Sequence, residues 1–333
     1  MSRSSGWFIG EAVGARVLEH RLCDSGCTPQ TGCECVAVSF ELPRYIARTH
    51  SKSLRMKPIT HLLIIDPQND FCDLPEARRA TGASPALPVA GADADMQRLA
   101  ALIRDTADGI DEITVTLDSH HRLDIAHPTF WQRGDGAEVP PFTEITASRV
   151  RAGEFQPRDA ASLPRALAYL DALQARGRYT LMVWPVHCEV GTWGHEVHAD
   201  VATACRGWEA QRGRAAKSVR KGENPWTEHY SAVLAEVPDA DDPQTQLNTA
   251  LIANLDRADS ILIAGEASSH CVRATTEHIV AHLPGGRPQR IALVTDCMSP
   301  VGGFEAQHDA FFAEMRALGV ALITSADLRA RLV

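Results

Sequence analysis

From His61 onward the chain alternates between two rhythms. Short, β-branched apolar runs recur: LLIID (62–66), ITVTLD (113–118), YTLMVW (179–184), SILIAG (260–265), RIALVTD (290–296) and VALITS (320–325). KSVRK (217–221) is a weaker run of the same kind. Continuous apolar strands suit a parallel sheet covered on both faces. Between them the apolar positions fall at helical spacing. One set is Met96, Leu99, Ala100, Ile103 and Ala107; another is Leu167, Leu170, Ala172 and Leu173, stopping at Gly177, a natural residue just past a helix end. The long stretch 132–178 is expected to hold an extra helix over 159–176. Strands alternating with helices predict an α/β fold: a doubly wound, mostly parallel sheet with helices on both faces.

Composition narrows the function. The formal net charge of −9 argues against a nucleic-acid binder, which carries a basic face. No apolar run approaches the roughly 18 residues of a membrane span. The first residues have no long apolar stretch and do not read as a secretory signal. Nine cysteines, an odd and uneven set, fit free thiols in a reducing cytoplasm better than a disulfide framework. Residues 1–55 stand apart as an extension before a domain over 56–333. Through Lys57 the chain holds 8 Lys/Arg against 5 Asp/Glu, and the remainder holds 25 against 37. Cys23, Cys27, Cys33 and Cys35 lie in the extension, at a spacing unlike paired zinc knuckles. Met56 is compatible with a start codon just before the first strong strand.

In an open parallel sheet, ligands bind beyond the carboxyl ends of the strands. The residues there are chemically rich. The first strand ends in Asp66; the second ends in Asp118, with His120 after it; the third ends in Trp184, with His187 and Cys188 following. The weak strand ends in Lys221, and Cys271 lies shortly after Gly265. A cysteine at a helix N-terminus has its thiolate favoured by the free amides and helix dipole. A lone cysteine is more often a small core residue, and Cys72, Cys188, Cys205 and Cys297 read that way. A buried Asp66 needs a partner or a proton, and Lys221 is a candidate partner. Thiol, carboxylate and ammonium together make an activated nucleophile. Asp118, His120 and His187 offer one oxygen and two nitrogens, a set that suits Zn, Mn or Fe with positions left open. His121 and His127 lie nearby, and among 14 histidines some clustering arises by chance.

DPQNDF (66–71), TLDSHH (116–121), WPVHC (184–188), the VRKG segment around Lys221 and GEASSHCVRAT (265–275) occur in the order seen in the nicotinamidase/isochorismatase-like cysteine hydrolases. The chain resembles that family over about residues 60–326. The resemblance implies the family's parallel-sheet α/β fold and a catalytic triad of Asp66, Lys221 and Cys271. It implies one divalent transition metal, zinc first, held by Asp118, His120 and His187. It implies an oxyanion hole from the backbone N–H groups of Ala267 and Cys271, with a cis Glu266–Ala267 peptide aiming the first. Phe71 and Trp184 match the aromatic walls of the substrate pocket. His127, seven residues after His120 where nicotinamidases place a histidine four to six after, is assigned to that pocket. The expected activity is hydrolysis of a small primary amide, nicotinamide first among candidates, to acid and ammonia. The alternatives are a ureido or carbamoyl hydrolase on the same scaffold, or a non-catalytic, redox-sensing protein. The expected partner is the small amide alone, without nucleic acid or membrane, and a homo-oligomer is left open.

Overall fold

Backbone amides and carbonyls that leave water must find partners, and the apolar runs meet that need by pairing side by side. In the computed structural model the described residues are 57–332, preceded only by Glu11–Ala12 and Ala15–Arg16, which pair antiparallel. The contacts divide the chain into two units, Met1–Met56 and Lys57–Val333. The four N-terminal cysteines lie outside the described residues.

Within the second unit the chain runs β1 (Thr60–Ile65), α1 (Ala92–Asp105) and β2 (Glu112–Asp118). A long excursion follows: β3 (Trp131–Arg133), β4 (Thr143–Ile145), α2 (Ala147–Arg151), β5 (Phe155–Pro157), α3 (Leu163–Arg176) and β6 (Leu181–Val183). The fold resumes with α4 (Ala199–Arg212), β7 (Lys217–Lys221), α5 (Thr249–Asp256), β8 (Ser260–Gly265), α6 (Cys271–His282), β9 (Ile291–Val294), α7 (Glu305–Ala317), β10 (Ala321–Ile323) and α8 (Ser325–Leu332).

Six strands form one sheet in the order β10-β9-β8-β1-β2-β7, parallel at every pairing. All six residues of β1 are buried. Because successive strand side chains point to opposite faces, both faces of the sheet are covered there. From central β1 the chain works outward to β2 and β7, then returns to β8 on β1's other side. The order reverses between β1 and β8, where an open α/β sheet leaves a crevice beyond the strand ends.

The excursion departs from the sequence expectation. The 179–184 run is not a strand of the main sheet: β6 pairs antiparallel with β4, while β3 pairs antiparallel with β5. The place beside β2 is taken by β7, paired from Thr114↔Lys217 to Asp118↔Lys221. Leu181 and Val183 point inward and Met182 is half-buried, so the apolar run still records burial. The extra helix is present as α3, ending at Gly177 with φ 67°.

Candidate active site

Asp66 follows β1 directly. Its φ of 41° lies in the left-handed region that a non-glycine residue occupies only when its surroundings hold it. Thr116 of β2 holds it. The Asp66 amide donates to Thr116 Oγ1 at 3.0 Å, and that hydroxyl donates to Asp66 Oδ1 at 2.6 Å. The second oxygen, Oδ2, pairs with Lys221 Nζ at 2.9 Å. Lys221 reaches in from the end of β7, is 2% exposed, and also lies 2.9 Å from Asp118 Oδ1. It donates to Cys271 Sγ at 3.4 Å. The carboxylate, ammonium and thiol expected from the sequence are therefore brought together by three different strand ends.

One ammonium faces two carboxylates, so charge is not balanced pairwise. Burial pushes the Asp66 carboxyl above its usual range, although Lys221 opposes the shift. Asp118 goes the other way: burial would raise it, but His120 and Lys221 hold it well below. Burial works against the Lys221 charge, and Asp118 and Asp66 outweigh it, keeping the ammonium protonated. Cys271 opens α6 and is pushed well above the ordinary thiol range by burial, against Lys221. Both Asp66 and Cys271 are thus biased toward their protonated forms.

The turn between β8 and α6 carries the cis Glu266–Ala267 peptide. Among the described residues, neither the Ala267 nor the Cys271 amide donates to a protein acceptor, whereas Val272 N–H is spent on the Ala267 carbonyl at 3.2 Å. Two free donors thus flank the thiol.

Next to this set lies a cluster of three buried histidines. His120, His127 and His187 each offer a nitrogen within 4.8 Å of the others. Asp118 Oδ2 is 3.3 Å from His120 Nε2 and 3.5 Å from His187 Nε2. Outer partners aim two of the rings. His120 Nδ1 meets Asp124 Oδ2 at 2.9 Å, and His187 Nδ1 meets the Pro185 carbonyl at 2.8 Å. This turns both Nε2 atoms toward Asp118, the arrangement by which a carboxylate or carbonyl fixes a metal-ligating imidazole. His120 Nε2 and His127 Nδ1 are buried without a hydrogen-bond partner. An orphaned His120 Nε2 facing the Asp118 carboxylate fits a divalent cation. A second group, Asp66, Asp118 and Cys271, is equally close, but the Lys221 ammonium already sits among it, 2.9 Å from each carboxylate. The structure corrects the placement of His127: its ring sits 4.8 Å from His120 and 5.2 Å from His187, inside the histidine cluster rather than on the pocket wall. Burial, with His120 and His187 adding to it, keeps His127 neutral.

Phe71 packs edge-on to His187 at 5.4 Å. Trp184 packs edge-on to His270, the residue before the thiol, at 5.1 Å. Both aromatic residues therefore border the site, although Trp184 arrives from the β4–β6 ribbon. Sequence reasoning missed Thr116, Asp124 and Gln68. Gln68 clamps the Asp118 backbone, accepting from its amide at 2.7 Å and donating to its carbonyl at 2.8 Å. A polar residue within an apolar strand and an acid four residues after His120 were the available signals for the first two.

No protein-family model matches the chain, and no curated protein matches its sequence. Solved structures do match. The nicotinamidase/pyrazinamidase of Acinetobacter baumanii superposes with a TM-score of 0.54 at 20% identity, over 82% of this chain and 100% of that one. The yeast nicotinamidase bound to the inhibitor nicotinaldehyde gives 0.54 at 18% identity, over 80% and 100%. The chain has the nicotinamidase fold. A second structure of the yeast enzyme agrees, at 0.53 and 18% over 80% and 99%. At such identities the likeness is one of architecture. In the nicotinamidase fold seen here, the Asp66–Lys221–Cys271 cluster lies beyond the strand ends at the β1/β8 reversal.

Proposed function

We propose that the chain is a metal-containing cysteine amidohydrolase that converts a small primary amide to its acid and ammonia. The observation that carries this reading is the buried contact of Cys271 with Lys221 and Asp66, flanked by two unspent backbone amides. Asp66 takes the proton from Cys271 Sγ as sulfur attacks the amide carbon. The carbonyl electron pair moves onto oxygen, which the Ala267 and Cys271 amides hold; such donors are worth about 3–4 kcal/mol each to the transition state. Asp66 returns its proton to the leaving nitrogen, the C–N bond breaks, and ammonia departs. Water then attacks the thioester with Asp66 accepting its proton, and the carboxylate returns that proton to the departing thiolate. The raised basicity of Asp66 suits a group that cycles a proton near neutral pH. Lys221 keeps its charge throughout and offsets that of Asp66.

Asp118, His120, His127 and His187 would hold a divalent transition metal, zinc first among candidates. When bound, the metal supplies Lewis-acid charge beside the reacting amide. Nicotinamide is the first substrate to try, by likeness to the nicotinamidases of the same fold.

A panel of small primary amides, assayed for ammonia release with Cys271→Ala as control, tests the reading. Release from at least one amide, abolished in the control, is expected. Equal release by the control would remove Cys271 from the chemistry. Elemental analysis of protein prepared without chelators should show about one metal per chain, lost in His120→Ala.

A further inference from the structure

Beside the thiol-bearing turn lies a cavity of about 450 Å³, a size typical of ligand sites and larger than a one-ring carboxamide fills. Its inner end is Ser269 and His270, the two residues immediately before Cys271. Its outer end is built by the excursion and the segment leaving it, including Glu144, Arg178 and Tyr179. One wall is aromatic. His270 lies 5.3 Å from Tyr230 and 4.7 Å from Phe304, and Tyr179 packs on Tyr230 at 4.8 Å.

The charges along the cavity cancel: Arg178 and Arg273 against Glu144 and Glu277. Both guanidiniums are already engaged, Arg178 with Glu277 and Arg273 Nε with Glu277 Oε1 at 2.7 Å. No unpaired cation lines the cavity among the described residues, and the Glu144 carboxylate is exposed at its outer end, so an anionic occupant would lose hydration without gaining a partner. A buried donor is left over. The buried Tyr230 hydroxyl accepts from Trp184 Nε1 at 3.0 Å, and its own proton has no acceptor among the described residues.

We propose that this cavity is an outer subsite of the same active site. Its occupant is the far end of a substrate: a primary amide on a neutral aromatic or heteroaromatic body longer than one ring, carrying a hydrogen-bond acceptor that meets Tyr230. The proposal rests on the amidohydrolase reading and narrows its substrate class.

The test compares pyridine-3-carboxamide with neutral two-ring primary carboxamides that keep the same first ring and carry an acceptor on the second. With the full-length, metal-loaded protein, kcat/KM for ammonia release should be at least about tenfold higher for the two-ring amides, and Tyr230→Phe should cut that advantage about fivefold, the scale of one hydrogen bond. Equal or better turnover of the one-ring amide, or an advantage untouched by Tyr230→Phe, overturns the subsite. Calorimetric binding to Cys271→Ala separates this from the chemistry. Tighter binding of the two-ring amides supports the subsite even where no amide releases ammonia, an outcome that would sink the amidohydrolase reading alone. Indifferent binding overturns the subsite even where turnover is seen.

Discussion

Single residues in this site work by holding protons where solvent would remove them. Glu266, at the turn beside the thiol, is fully buried. It accepts the Ser299 amide at 3.1 Å, and burial followed by the nearby Asp95 pushes its carboxyl well above the usual range. Asp95 is itself engaged by Arg98 and by the Ser299 hydroxyl. Glu266 therefore keeps its proton in the folded chain and loses it near the ordinary carboxylate value when unfolded. The folded state binds more protons between those two values, so its stability falls as pH rises from the unfolded pKa through the raised folded one. Glu266→Gln removes that fall. Denaturant midpoints measured at about pH 5 and about pH 8 should show the variant gaining on the wild type at the higher pH. A difference between the two proteins that does not change with pH would mean that Glu266 is ionised when folded. The sequence carried a hint, since a glutamate directly after a buried strand needs an explanation. Its partner Asp95 lies on a helix far away in the chain, and spacing alone does not join them.

At the scale of elements, the site depends on how closely β8 approaches β1. Gly265 closes β8 with φ 118°, and a Cβ there would lie 1.9 Å from the Ile65 carbonyl oxygen, an overlap with backbone that no rotamer relieves. Gly265→Ala should therefore destabilise the fold by more than about 2 kcal/mol and weaken activity, as read by chemical denaturation alongside turnover. A loss under about 0.5 kcal/mol, the range of an ordinary surface change, would mean the strand ends are looser than described. The strands of the parallel sheet were legible because burial on both faces leaves unbroken apolar runs. Even KSVRK was placed, although an edge strand shows little of that signal. The 179–184 run was misassigned because an apolar run reports burial and does not name its partner; β6 is buried in a ribbon with β4. The meeting of Asp66, Lys221 and Cys271 was legible because each lies at or after a strand end, and parallel topology delivers strand ends to one edge. His127 was not, because it sits in a loop whose reach is set by Asp124 and the path of the chain rather than by its seven-residue separation from His120.

For the whole molecule, the order of the strands explains why one edge holds all the chemistry. β1 and β8 lie paired at the reversal, β2 and β7 follow on the other side of β1, and each strand delivers a carboxylate, ammonium or thiol at or after its carboxyl end. No helix of the described residues is long and apolar enough to cross a membrane. Every residue assigned a role lies beyond Met56, and the sheet begins at Thr60. A chain starting at Met56 is expected to fold, bind its metal and keep its turnover number. If it is folded and metal-loaded yet turns over a hundredfold more slowly, about 2.7 kcal/mol of barrier, the first 55 residues help to build the site.

The proposed chemistry turns on a thioester at Cys271. Intact-protein and peptide mass spectrometry of the full-length chain, acid-quenched during turnover of the best amide in the panel, tests it directly. An acyl adduct on the Cys271 peptide, absent from Cys271→Ala, is expected. Steady turnover in Cys271→Ala, or an adduct found on Cys72 or Cys188 instead, would contradict it.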